Sequence, residues 1–207
     1  MKGILGKKLG MTQVSLEDGT VVPVTVIQAG PCVVVQKKTE TTDGYGALQL
    51  GFEPLAATKV TKPLRGHFDK KRVQPAKYLR EIKFSDPDSF DVGQEIKVDI
   101  FSPGERVHVT GLSKGKGFAG TIKRYGGRRG PAGHGSGFHR SPGTLASPRS
   151  GSRVFPGQKM PGRMGYDRVT VRNLEVVRAD TKRNLLLVRG SVPGTRGRLV
   201  IVRSTGR

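Results

Sequence analysis

The sequence predicts a mainly β protein whose strands close into a barrel, interrupted by one long irregular loop. Three observations predict it. Eight short stretches rich in β-branched residues run along the chain, with turn residues between them. No regular helical periods separate them, which argues against an α/β layering. One stretch past the middle is built from Gly, Pro, Ser and Arg, a mixture in which neither helix nor strand is favoured. A sandwich is compatible with the same pattern, because nothing in it sets the strand order.

The expected strands, in order, are residues 21–27 (VVPVTVI), 31–37 (PCVVVQK), 47–52 (ALQLGF) and 95–101 (EIKVDIF). Then come 106–110 (RVHVT), 168–177 (RVTVRNLEVV), 185–189 (LLLVR) and 199–203 (LVIVR). Pro23 places the first of them at an edge or a bulge. GPC, SPGER and VPGTRG supply the turns. Residues 39–89 are richer in charge and turn formers, so a small α+β insert is expected at about 39–90. Its helix is expected over 75–83 (PAKYLREIK), with Pro75 near the start.

The chain has 207 residues, 34% of them hydrophobic, enough for one domain with a modest core. Its net charge of +21 speaks about partners rather than fold. The candidates are a nucleic acid, an anionic membrane or another polyanion. Cys32 is the single cysteine, so neither an intrachain disulfide nor a cysteine metal cluster is expected. The start, MKGILGKKLGMTQ, has only Ile4 and Leu5 as an apolar pair before Gly6, too little for a signal peptide. No run reaches the length of a membrane span. A soluble, cytoplasmic protein is therefore expected.

The charge is uneven. Residues 106–166 contain 12 Lys or Arg and no Asp or Glu, whereas the rest of the chain has 25 basic against 16 acidic residues. Within that window, 21 of the 40 residues at 126–165 are Gly, Pro or Ser. A solvated basic linker is the simplest reading of such composition. Against it, the stretch is internal, its bases are mostly single, and Phe138, Leu145, Val154, Phe155, Met160 and Met164 are interleaved with them. A glycine-rich backbone approaches a crowded surface closely, and scattered arginines fork onto phosphates. That suits a segment ordered by threading between RNA helices.

Other motifs weigh little. GKGFAG at 115–120 matches a dinucleotide-binding fingerprint, but no acid follows before Asp167 to hold a ribose, and the next run breaks on glycine. Lys116 is followed by Gly117 rather than Ser or Thr, so this is no phosphate-binding P-loop. His134 and His139 lack nearby Cys, Asp or Glu to complete a zinc site, and base stacking or hydrogen bonding to phosphate is the better use for them. The serines of the basic window lie in no nucleophile elbow. Smaller clusters occur at Lys2, Lys7 and Lys8, at Lys70, Lys71 and Arg72, and at Arg196, Arg198, Arg203 and Arg207. A solvated surface accounts for these clusters as well as RNA contact does.

Longer motifs run the length of the chain. They include GILGKKLGMTQ at 3–13, DGYGALQLGF at 43–52, KPLRGHF at 62–68, VTGLSKGKGFAGTIKR at 109–124, HGSGFHRSPGTL at 134–145, GQKMPGRMGYDRVTVRNLEVVR at 157–178 and NLLLVRGSVPG at 184–194. Together they resemble the bacterial L-three family of large-subunit ribosomal proteins over nearly the whole chain. The resemblance implies a barrel of the kind shared with translation factors, formed by residues 1–112 and 166–207. It also implies an extension over 113–165 that reaches large-subunit (23S) ribosomal RNA near the peptidyl-transferase region without donating a catalytic group. A role early in subunit assembly, neighbouring ribosomal proteins as partners, and no cofactor, metal or small-molecule substrate follow from it as well.

Carried over by motif, the RNA contacts include Lys114, Lys116, Lys123, Arg124, His134, His139, Arg140, Arg153, Lys159 and Arg163. Lys2, Lys7, Lys8, Tyr125, Arg149 and Arg168 join them, and Arg128 and Arg129 are included on charge alone. There are departures. Many relatives carry Trp-Asn where Tyr125 and Gly126 stand, and Arg149 occupies the position of a glutamine that some relatives methylate, so that mark is not expected here. Gln158, in a nearby run, is not expected to carry it either. The competing functions are a general polyanion or DNA-architectural protein and an RNA-modifying enzyme.

Overall fold

The computed structural model describes residues 1–146 and 151–205. The protein is mainly β. Six strands close into an antiparallel barrel: β1 (Gly3–Ser15), β2 (Val21–Ala29), β7 (Arg106–Leu112), β10 (Arg168–Asp180), β11 (Leu185–Arg189) and β12 (Leu199–Ser204). Around the barrel the order is β1, β12, β7, β10, β11, β2 and back to β1. Closure leaves no open edge, which is why so short a chain supports so much sheet.

The alternation expected of half-buried strands is clearest in β12, where Val200, Val202 and Ser204 point inward while Leu199, Ile201 and Arg203 are half-buried on the other face. Ile4, Leu5, Ile27, Val107, Val109, Val176, Leu186, Val188, Val200 and Val202 are all fully buried and form one cluster. The buried polar residues Lys8 and Thr25 have partners, as burial demands, whereas the buried Asn184 Oδ1 and Arg203 Nε have none. Lys8 Nζ donates to the carbonyls of Val192 and Gly194 at 2.6 and 3.2 Å. Thr25 Oγ1 donates to the Gly190 carbonyl at 2.6 Å.

The first strand is the largest element that local reading misses. Three glycines and two lysines erase its period. Packing requires one of those glycines: a Cβ on Gly6 would stand 2.7 Å from the Gln28 carbonyl oxygen of the paired strand. The approach of β1 to β2 is thus closer than any side chain allows.

A second sheet joins β5 (Ala76–Ile82), β4 (Ala47–Pro54), β3 (Cys32–Lys38) and β6 (Glu95–Ile96) in that order. Its inner face supplies Val34, Leu48, Leu50 and Ile82 to the same core as the barrel. Its outer face packs Val35 against Phe68 and Val73. Phe68 is the buried residue of helix α2 (Lys62–Lys71), the longer of two in this region, the other being α1 (Glu40–Asp43).

Two expectations are corrected here. The helix lies over 62–71, not 75–83. Residues 76–82 pair instead with β4, from Leu48 opposite Ile82 to Pro54 opposite Ala76. The pairing of a half-buried surface outweighs a weak local preference for helix. Pro63 at the start of α2 is the pre-set φ that the reading assigned to Pro75. Of residues 95–101 only Glu95 and Ile96 form a strand; a 3-10 turn over Val98–Ile100 then buries Val98 and Phe101.

Cys32 is fully buried, and its thiol donates to the Leu5 carbonyl at 3.4 Å. Burial pushes its pKa up to about 12, so it stays a protonated packing residue.

Candidate nucleic-acid interface

The chain forms two compact units, Met1–Leu112 with Arg168–Arg207, and Ser113–Asp167. The second is an excursion between two paired strands, since Leu112 and Arg168 stand opposite each other where β7 meets β10.

Within 113–167 a main-chain stem comes first. Ser113 N–H donates to the Asp167 carbonyl, Lys116 N–H to Met164 and Met164 N–H to Gly117, each at 2.9 Å. Two short strands continue it, β8 (Phe118–Ala119) and β9 (Gly162–Arg163), with Phe118 opposite Arg163. Gly165 is required in this stem. Its φ is +74°, and a Cβ there would run into the Lys114 carbonyl. A short helix, α3 (Thr121–Tyr125), follows and ends on Gly126 at φ 70°. Arg124 Nη1 reaches back across the stem to the Met160 carbonyl at 2.9 Å.

Beyond the stem the chain is held by a few polar contacts. Gly130 N–H donates to the His139 carbonyl at 3.0 Å, and His139 Nδ1–H donates to the Pro131 carbonyl at 2.9 Å. Cations sit over aromatic rings. Arg124 lies 5.1 Å and Lys159 5.8 Å from the Tyr125 ring, Arg153 is 5.7 Å from Phe155, and Arg163 is 5.1 Å from Tyr166.

The electrostatics are simple. Asp167 is the single acid of this unit, and none of the salt bridges among the described residues involves one of its bases. Ala119 is its one buried apolar residue among those described. Phe118 and Phe138 are 80% and 68% exposed. Large rings left in solvent beside unneutralised guanidinium groups are surfaces to which bases and phosphates bind.

The structure distributes the expected contacts unequally. Lys114, Lys116, Lys123, Tyr125, Arg128, Arg129, His134, His139, Arg140, Arg153, Lys159 and Arg163 are exposed within the one unit; Arg124 is half-buried. Arg149 lies outside the described residues. Arg168 is exposed at the start of β10. The amino-terminal lysines are engaged inside the protein: Lys8 is buried, Lys7 pairs with Glu53 at 3.0 Å, and Lys2 pairs with Glu105 at 2.9 Å. Phe118 and Tyr166 are ring surfaces that the sequence reading passed over. Phe118 stood inside the glycine motif set aside as a dinucleotide site, and Tyr166 next to the acid that ends the basic window.

A small closed barrel with a basic, coreless excursion between two of its strands is the class of protein these features define. Comparison narrows it. The family described as Ribosomal protein L3 matches residues 80–184, a range that includes the whole excursion. A large ribosomal subunit protein uL3 from Carboxydothermus hydrogenoformans is 61% identical over 98% of this chain and 96% of its own length. Proteins of the same name from Pelotomaculum thermopropionicum and Desulforudis audaxviator are 55% and 58% identical, over 100% and 98% of this chain and 98% and 95% of theirs. The chain belongs to the L3 family of ribosomal proteins, structural components of the large subunit of the cytoplasmic ribosome and not enzymes. Among the described residues no helix is long and apolar enough to cross a membrane.

Proposed function

We propose that the chain binds large-subunit (23S) ribosomal RNA chiefly through residues 113–167, and that the barrel docks on the RNA surface as a base. The observation that carries this reading is the make-up of that unit: among its described residues, bases without acidic salt-bridge partners, exposed rings, and one buried apolar side chain. Such a segment gains little from folding on itself and much from enclosure by phosphates. Stacking of bases on Phe118, Tyr125 and Phe138 and forking of Arg128, Arg129, Arg140, Arg153 and Arg163 onto phosphates provide the contacts. In the large subunit this segment supports RNA near the peptidyl-transferase region without donating a catalytic group. The protein enters early in subunit assembly, beside neighbouring ribosomal proteins.

Titration of the full chain against a folded large-subunit RNA domain at several salt concentrations tests the reading. With about six bases on phosphate, log K against log salt falls with a slope near −4 to −5. A folded ribosomal domain outcompetes duplex DNA by orders of magnitude. Displacement by DNA at comparable concentration would show a general polyanion binder instead.

A further inference from the structure

The barrel unit carries a cavity of about 380 Å³ that the excursion does not help to line. Leu199 and Ile201, on the outer face of β12, form its apolar floor together with the ring of Tyr78 from β5. Three guanidinium groups surround that floor, those of Arg80, Arg168 and Arg198, all exposed, and among the described residues no acidic side chain lines the cavity. The Tyr78 ring is fixed from within by stacking on Phe52, centroids 6.4 Å apart at 23°. Arg80 uses Nη1 on the carbonyl of Leu79 at 2.7 Å, which leaves most of its five donors for another acceptor.

We infer that this cavity takes a single unstacked nucleotide of the ribosomal RNA, its base against Tyr78, Leu199 and Ile201 and its phosphates on Arg80, Arg168 and Arg198. The inference rests on the RNA-binding reading above but concerns the barrel, which that reading treats only as a base. An apolar, ring-bearing floor matches the face of a base, and no free phosphate would need it. Three cationic forks around one small opening exceed what a single carboxylate requires and suit consecutive phosphodiesters. The volume is near the lower end of the roughly 300–1,000 Å³ typical of small-ligand sites, so it admits one nucleotide and no helix.

The test uses the full chain and large-subunit ribosomal RNA. Ultraviolet irradiation of the complex, followed by mass spectrometry, is expected to place a nucleotide adduct on Tyr78 or a neighbour in β5. The double variant Arg80→Ala, Arg168→Ala is expected to keep the melting temperature, lose the adduct, and bind RNA about tenfold more weakly. Its salt slope is expected to become shallower by about one to two. With lysine at both positions, the slope should be retained and the adduct reduced, because an ammonium keeps the charge and not the fork. Wild-type binding with the full slope, but no adduct and no effect of the double variant, overturns the cavity and leaves the excursion's role standing. Absence of RNA binding by the wild-type chain overturns both. An adduct formed equally well with free uridine monophosphate and unchanged by ribosomal RNA overturns the RNA assignment. So does a cross-link from Tyr78 to an acidic segment of a neighbouring protein in the assembled subunit.

Discussion

The barrel unit and the 113–167 unit solve opposite problems. The barrel unit hides a cluster of Val, Ile and Leu and pairs several of its surface bases with its own acids, as Lys7 does with Glu53 at 3.0 Å and Arg189 with Glu175 at 3.1 Å. The excursion buries Ala119 alone among its described apolar residues and has one acid for all its bases. The difference teaches where each gets its order. Burial of apolar surface, at about 25 cal/mol per Å², holds the barrel in water. The excursion has almost no such surface to bury, so its stem and cation–ring contacts define a shape that a polyanion must complete.

Removing the excursion gives the largest expected effect. Because Leu112 and Arg168 stand directly opposite, a two-residue Asn-Gly turn joins β7 to β10. The shortened chain is expected to keep its barrel, seen as an unchanged circular dichroism spectrum and a cooperative melt. Its affinity for a large-subunit RNA domain is expected to fall by at least about a hundredfold at moderate salt, with a much flatter salt slope. A shortened chain that binds as tightly as the full one would erase the contrast between the two units.

Paired truncations sharpen the contrast at single residues. Leu186→Ala empties a fully buried site in the barrel and is expected to cost about 2–5 kcal/mol of stability by denaturant titration, with RNA contacts untouched. Phe138→Ala removes a ring that is 68% exposed, so its stability cost is expected below about 0.5 kcal/mol. Its cost in RNA affinity is expected at about 1–3 kcal/mol, the worth of a stacked base.

The barrel was legible in the sequence where side chains alternate. Residues 185–189 and 199–203 reach the core through Leu186, Val188, Val200 and Val202, and both are strands to within a residue of their expected ends. It was illegible where backbone closeness replaces side-chain pattern, as at Gly6 in β1. It was misleading at 75–83, where Leu79 and Ile82 fit either a short helix or a strand and only β4, distant in sequence, decides between them. For the interface, charge and composition located the segment. They did not show that Arg124 is turned back onto Met160, nor that Lys8 is turned inward onto Val192 and Gly194, since both depend on contacts between residues far apart in sequence.

A smaller effect is expected from Gly165→Ala in the stem. The added methyl meets the Lys114 carbonyl at a φ of +74°, a conformation that costs a side chain about 1–3 kcal/mol. The loss is local to the excursion. Hydrogen exchange is expected to quicken at the amides of Lys116 and Met164 while those of Val109 and Val202 in the barrel keep their protection. Slowing or spreading of the effect into β7 and β12 would mean that the two units do not fold independently.

The smallest effect tests the barrel's habit of pairing its bases. The hydrogen bond from Lys7 is the main cause holding the Glu53 carboxyl below its ordinary value, with partial burial opposing it and Lys77 adding to it. A depressed carboxylate contributes its stability above the unfolded value and loses it as pH falls through the lower folded value. Glu53→Gln keeps the shape at this positive-φ residue, φ 63°, and removes the charge. With the side chain 32% exposed, screening limits the expected cost to about 0.2–1 kcal/mol at pH 7. Melting curves of the two proteins are expected to differ at pH 7 and to converge as pH falls through the lowered folded value, where the wild-type carboxyl is itself protonated. A gap that persists in acid would assign the loss to packing rather than to charge, and the barrel's ion pairs would then be incidental to its stability.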